Sequence, residues 1–295
     1  MAILLSGIAM GCAPQARHQR VEDSLTSGRI LIVCAHEATS LISRERAAFA
    51  ALYPQSSFEV RDTTSREAIR ALFAAECDLA VITRELSPEE RAAAVRGRLE
   101  LEGYRFARDA VVMLVNPGNR VENLAMDDLG KIYQGEVTDW SELGGAPGAI
   151  EPVAQRANRD ITDFFVARVL AGEPMRARVR VADADSQVVA EVTSHPGAIG
   201  YVSLAWAERG AKALHVSSLT GLKYWAPDLE TVYAGEYPLT RFFNFYRRPR
   251  GAQLGAGFIT YVTSMDGQRD VHEAGLVPTA VPVRFVRRSP MLSSH

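Results

Sequence analysis

The sequence has no apolar run of about 18 or more residues, so a membrane-spanning helix is not expected. It has no basic excess either. Its 33 Lys and Arg are matched by 35 Asp and Glu, for a net charge of −2, whereas nucleic-acid binding usually leaves a basic stripe. An anion-binding protein needs no such excess, because a buried site is local. Internal repeats and low-complexity tracts are missing. So are the common catalytic signatures: there is no G-x-S-x-G elbow, Walker loop, H-E-x-x-H or dinucleotide fingerprint. Ser, His and Asp occur, but no spacing ties them into a triad, so no catalytic residue and no cofactor are expected. Cysteine is scarce, at three. Cys34 ends the apolar run "RILIVC" and Cys77 opens "CDLAVI". In adjacent parallel strands these positions fall at opposite ends, beyond the roughly 7 Å Cα separation that a disulfide tolerates. Both read as small buried apolar residues.

What is present is ordinary in bulk and informative in order. The 295 residues suffice for one large or two ordinary domains, with 47% hydrophobic and 23% charged residues, typical of a globular protein. The start, "MAILLSGIAMGC" followed by polar "APQARHQR", resembles a lipoprotein signal with Cys12 as the lipidated residue. It departs from that pattern in lacking Lys or Arg before the apolar run and in carrying Met10 two before the cysteine. The alternative is a ragged cytoplasmic N-terminus. We therefore take 1–12 as a signal segment and 13–28 as a polar linker.

Short strands and helices then alternate. "RILIVC" reads as a strand buried on both faces, and "SLISRERAAFAALYP" as a helix with Leu41, Phe49 and Leu52 on one side. "SSFEVRDTT", "SREAIRALFAAE" and "CDLAVIT" continue as strand, helix and strand. "SPEERAAAV" has Ser87 as N-cap, Pro88 at the first helical position and Glu90 three after the cap. This β-α-β-α-β order predicts a parallel sheet with helices on its faces. Longer strands follow at "YRFARDAVVMLVN" and "RFFNFYRR", with helices at "AMDDLGKIYQG", "ITDFFVARVLAG" and "DSQVVAEVTS". Ligands in such units sit beyond the carboxyl ends of strands, near helix N-termini. Four loops qualify, at 35–40, 62–66, 83–87 and 156–162, each rich in hydroxyls or arginine.

A family resemblance becomes specific at "NLAMDDLGKIYQGEVTDWSELGG". This segment resembles the signature of periplasmic phosphate-binding proteins, the extracytoplasmic receptors of phosphate ABC transporters, through Gly135, Val137, Thr138, Trp140, Gly144 and Gly145. Collinear similarities follow in "DAVVMLVNPGN", "HPGAIGYVSLAW", "GEYPLTRFFNFYRR" and "FITYVTSMDGQRDVHEAGLVP", covering about residues 29–280. The resemblance implies an α/β, two-lobed type II periplasmic-binding-protein fold, each lobe a mixed sheet flanked by helices, with the ligand cleft between lobes. The chain would cross between lobes at about 105–110 and 239–243. Lobe 1 would comprise 29–107 and 242–288 and lobe 2 would comprise 108–241, with a frayed tail at 289–295. The Tyr and Trp residues of "LKYWAPDLETVYAGEYP" read as packing between the lobes.

The resemblance also implies a site. The family clamps phosphate with helix-end amides, hydroxyls and one arginine. Carried over by position, Thr39 with Ser40 matches the first loop, Ser65 the second helix start, and Thr83 with Arg84 the third strand end. Arg156 matches the clamp arginine and Thr162 the threonine of a Ser-Gly-Thr triplet whose other members are here Asp160 and Ile161. Glycine allows an oxyanion to approach closely, while Ile161 adds bulk and keeps its amide. Asp160 places an acceptor-only carboxylate where an anion would bind. It could cap the helix, accept a proton from the ligand, or pair with Arg159 or Arg84. His36 beside Glu37 invites a metal reading, but the next histidine, His195, precedes a Pro-Gly turn, and no metal site is expected.

The implied function is capture of phosphate, or a related small oxyanion, by a monomer that is periplasmic or at the cell surface, anchored to the membrane only by lipid, and partnered by an ABC transporter permease. The alternative is a non-transporting sensor or accessory lipoprotein with an altered or lost phosphate site. A zwitterionic or organic phosphate is a further option, which Asp160 could help select.

Overall fold

The computed structural model describes residues 22–279. Residues 1–12, read as a signal segment with Cys12, residues 13–21 of the expected linker, residues 280–288 of the expected lobe 1 and the expected tail at 289–295 lie outside the described residues. Residues 22–27, read as the end of a linker, instead pack on lobe 1. The Asp23 carboxylate accepts the amides of Gln253 and Leu254 at 2.9 and 3.3 Å, and Leu25 lies against Gly257.

The alternation begins with β1 (Gly28–Ala35), α1 (Thr39–Leu52), β2 (Ser56–Thr63), α2 (Ser65–Phe73) and β3 (Leu79–Ile82). α3 (Pro88–Arg96) starts at the Ser87–Glu90 capping box, with Pro88 needing no amide partner at its first position. β4 (Glu102–Val115) leads into β5 (Asn123–Ala125), α4 (Met126–Gln134) and a 3-10 turn at Trp140–Leu143. β6 (Glu151–Gln155), α5 (Asp160–Val169), β7 (Arg180–Ala182), α6 (Asp185–Ser194) and β8 (Ala198–Ser203) follow. The chain closes through β9 (Lys212–Ala213), β10 (His215–Ser217), α7 (Leu229–Ala234), β11 (Thr240–Arg247), α8 (Gln253–Val262), α9 (Met265–Glu273) and β12 (Val277–Pro278).

The main sheet runs in the order β2-β1-β3-β11-β4-β8-β6-β7, with β9 and β12 also pairing with β4. β1 is parallel to β2 and β3, as the β-α-β-α-β pattern requires, and β6 is parallel to β7 and β8. β4 joins these two parallel halves. Its Glu102–Ala110 portion pairs antiparallel with β11, and its Val111–Val115 portion pairs with β8. Two packed cores follow from this division. Phe49, Phe106, Phe243, Phe245 and Phe258 fill one, while Val111, Tyr133, Phe165, Tyr201 and Tyr237 fill the other. A smaller cluster of Ile69, Leu72, Ile82 and Tyr246 backs the first sheet on its opposite face. The result is the two-lobed α/β architecture.

The signature motifs act as scaffold. Gly135 ends α4 at φ +77°, a left-handed conformation that a Cβ would strain. Trp140 is buried, and its indole N–H donates to Gly197 O at 3.1 Å, tying "TDW" to "HPGAIGY". Both cysteines are free and buried, and burial pushes the Cys34 thiol up to about 12. Two expectations need correction. Leu52 is exposed, and Ile42 and Glu45 take part in the buried stripe of α1 alongside Leu41 and Phe49. Tyr237 does not pack between lobes; it is fully buried inside the second core, its hydroxyl donating to Val111 O at 3.2 Å, with Trp225 and Tyr233 packed on that same core.

Candidate functional site

The two lobes meet where the turn after β1, the start of α2, the end of β3 and the start of α5 converge on the crossing strands β4 and β11. Arg241, the second residue of β11, has only 2% of its surface exposed. Such a charge requires close partners, because desolvation costs several kcal/mol (~) per ion. Asp109, fully buried in β4, supplies one: Arg241 Nε and Nη2 donate to its Oδ2 at 2.9 and 2.7 Å. Asp109 Oδ1 in turn accepts the Ser203 hydroxyl at 2.8 Å and the Leu204 amide at 3.0 Å. The remaining guanidinium nitrogen, Nη1, lies 2.6 Å from Glu37 Oε2. Burial opposes the charge on Arg241, but Glu37 and Asp109 outweigh it and raise the pKa, so the guanidinium stays protonated.

Glu37 reaches this point from the turn between β1 and α1. Its other oxygen, Oε1, accepts the Ile161 amide at 3.0 Å, so the carboxylate caps the N-terminus of α5 from the opposite lobe. Burial pushes the Glu37 carboxyl above its ordinary range. Arg241 opposes that shift and Asp160 adds to it. Asp160 makes the reciprocal connection. Its Oδ2 accepts the Ser65 hydroxyl and, at 2.7 Å, the Thr83 hydroxyl, and Ser65 Oγ accepts the Thr83 amide at 3.2 Å.

The expected site residues therefore divide. Ser65, Thr83, Asp160 and Ile161 come together at the junction. Thr162 lies just behind them, buried, with its hydroxyl bonded to Gln155 O at 3.1 Å and Tyr201 Oη at 2.9 Å. Thr39 turns aside, donating to Asp62 Oδ1 at 2.6 Å, and Asp62 also holds His36 Nδ1 at 2.7 Å. Ser40 is exposed. Arg84 forms a bidentate pair with Glu90, both bonds 2.8 Å. Arg156 is paired with Asp183 and leaves 61% of its side chain in water.

Asp160 neither caps α5 from the N-cap position nor pairs with a candidate arginine. The cap position is Arg159, without a side-chain capping bond, and Asp160 is the first helical residue. Neither candidate arginine meets its carboxylate: Arg159 Nη2 donates to Asp183 O at 2.8 Å, and Arg84 is committed to Glu90. Hydroxyl donors from the other lobe take that role instead. Three residues of the junction escaped the sequence reading: Glu37 as an anion, Arg241 and Asp109. A signal for the last two existed. Each stands at the head of an uncharged run, "FFNFY" after Arg241 and "AVVMLV" after Asp109, and charges at the edge of such runs need partners when buried. Among the described residues no cluster of His, Cys, Asp and Glu has metal-site geometry.

Two spaces border the junction. A groove of about 830 Å³ runs beside it, lined by Arg66, Arg84, Asp163, Phe164, Arg168 and Phe242 among others. At the junction itself the space between His36, Glu37, Thr63, Thr64, Asn158, Arg159 and Asp160 is too narrow for a water molecule.

Comparison with known proteins gives a consistent picture. A family model described as the PBP superfamily domain matches residues 21–266. The phosphate-binding protein PstS of Bacillus subtilis (strain 168) is 31% identical over 181 residues, which is 60% of this chain and 58% of that protein. The chain thus aligns with less than two thirds of that relative's length. The phosphate-binding protein PstS of Borreliella burgdorferi is 26% identical over 230 residues, 71% of this chain and 75% of that protein. The crystal structure of an ABC-type phosphate transport receptor from Vibrio cholerae covers 85% of this chain and 100% of its own, at 21% identity and a TM-score of 0.75, a likeness of fold.

Proposed function

The chain belongs to the PBP superfamily, and from that premise we propose that it captures phosphate, or a related small oxyanion, outside the cytoplasm and delivers it to the permease of an ABC transporter. One observation carries the reading. Ser65, Thr83 and the Ile161 amide converge between the lobes and each donates to a carboxylate oxygen, while Arg241 Nη1, which makes no hydrogen bond, is ion-paired with Glu37. Carboxylate and phosphate oxygens accept the same bonds, so this is a donor set for a small oxyanion. A helix N-terminus adds its positive end to the charge of the buried arginine. The names of the relatives support phosphate as the ligand and do not favour the sensor or accessory alternative.

On this reading the lobes comprise 29–107 with 242–288, and 108–241, and Cys12 carries the lipid anchor. The direct test is calorimetric titration of the protein with phosphate and, separately, sulfate. We expect saturable one-to-one phosphate binding that Ser65→Ala and Thr83→Val each weaken by about tenfold, the loss of one charge-assisted hydrogen bond. No heat of binding with either anion between about pH 5 and 8, where phosphate passes from one negative charge to two, would sink the proposal.

A further inference from the structure

The Glu37 carboxylate reaches from lobe 1 across to lobe 2. Oε1 accepts the Ile161 amide of α5 at 3.0 Å, while Oε2 sits 2.6 Å from Arg241 Nη1 and 3.4 Å from Thr83 Oγ1. A helix-end amide and a buried guanidinium are groups that an incoming oxyanion would use, whereas the single Thr83 hydroxyl proton goes to Asp160 at 2.7 Å. Asp160 makes a matching substitution from lobe 2, occupying the hydroxyls of Ser65 and Thr83. With both carboxylates in place the gap beside them is too small for a water molecule. The chain therefore presents its own acid oxygens where the ligand's oxygens belong.

We propose that Glu37 is an internal competitor for the anion site: ligand enters by displacing its carboxylate from Arg241 and the Ile161 amide, and until then that carboxylate holds the lobes together. The inference rests on the oxyanion-receptor reading of this same site and specifies which side chain sets its affinity. The geometry makes the exchange feasible. When Glu37 leaves, Arg241 keeps both bonds to Asp109, so its buried charge is not orphaned. Glu37 stands in the short turn at the end of β1 and makes no strand pairing of its own. The donors it frees pass directly to the ligand, and the net affinity is the difference between two similar sets of charge-assisted bonds. A competitor of this kind lowers affinity for every anion, and most for those that cannot reach Ile161 and Arg241 together.

The test is titration of inorganic phosphate into the full-length protein and its Glu37→Gln and Glu37→Ala variants. Glu37→Gln preserves shape and one acceptor while removing the charge that Arg241 attracts. We expect both variants to bind phosphate more tightly than the wild type, Glu37→Ala by about tenfold or more, from the loss of a charge-assisted competitor. Equal or weaker binding in both overturns the competitor role while leaving the receptor reading intact. Should none of the three proteins bind phosphate, the receptor reading fails. Small-angle X-ray scattering without phosphate then decides the remaining claim. A larger radius of gyration for Glu37→Ala than for the wild type supports Glu37 as the tie between lobes, and an unchanged radius overturns it.

Discussion

Arg241 is buried between two carboxylates, whereas Arg156 stands in water beside Asp183. The physical difference sets different expectations. An exposed ion pair is worth about 0–1 kcal/mol, because water screens it and two mobile side chains must be ordered. Breaking a buried pair by removing one partner costs about 3–5 kcal/mol, because the abandoned carboxylates stay buried. We therefore expect Arg156→Ala to leave urea-unfolding stability within about 1 kcal/mol of the wild type and phosphate affinity within about threefold. Arg241→Met should lower stability by about 3–5 kcal/mol and abolish measurable phosphate binding. The reverse pattern would return the clamp to Arg156. Arg156 occupies the motif position of a clamp arginine, but a motif gives position along the chain, and here the side chain is paired with Asp183. Arg241 and Asp109 carried a legible signal in their apolar surroundings. Glu37 carried none, since its partners lie 124 residues away at Ile161 and across the lobes at Arg241.

Elements with local determinants were legible and those with distant partners were not. The start of α3 is written within four residues as Ser87, Pro88 and Glu90, and the capping box forms as the pattern predicts. Asp160 has an equally good local capping chemistry, yet its hydroxyl partners Ser65 and Thr83 are 95 and 77 residues distant. Tertiary donors outcompeted the helix's own amides, an outcome no local pattern encodes. The motif segments depend on close backbone approach, which gives an element-scale prediction. A Cβ at Gly197 would collide with the Ala149 carbonyl oxygen, and Gly197 O is also the acceptor for Trp140. Gly197→Ala should lower stability by about 1–3 kcal/mol through this overpacking, read from the urea midpoint at constant slope. A change below about 0.5 kcal/mol would mean that the turn accommodates the methyl group.

At the scale of the whole molecule, β4 and β11 join two separately packed cores; the strand and helix alternation predicted only a parallel sheet, and the two-lobe expectation came from the family resemblance. One buried acid on α1 ties global stability to pH. Both Glu45 oxygens are buried without a hydrogen-bond partner, and burial, reinforced by Asp270 and opposed by Arg44, pushes this carboxyl from 4.5 up to about 8. The folded state therefore holds its proton more tightly than the unfolded chain. The stabilising contribution is fully present below about pH 4.5 and is lost as pH rises through about 8. Glu45→Gln removes the titration. We expect the variant to gain on the wild type progressively across that interval, by on the order of 4 kcal/mol in unfolding free energy at its upper end. A pH-independent difference between the two proteins would contradict the assignment.

The central claim is that a small oxyanion binds between the lobes on donors now engaged by Glu37 and Asp160. The most direct measurement follows the backbone amides of ¹⁵N-labelled protein by NMR while inorganic phosphate is added. We predict saturable shifts at Ile161, whose amide exchanges a carboxylate for a phosphate oxygen, and at Thr83, whose hydroxyl changes partner. Saturable shifts confined to the surroundings of Arg156, or no saturable shift at Ile161 and Thr83, would contradict the account.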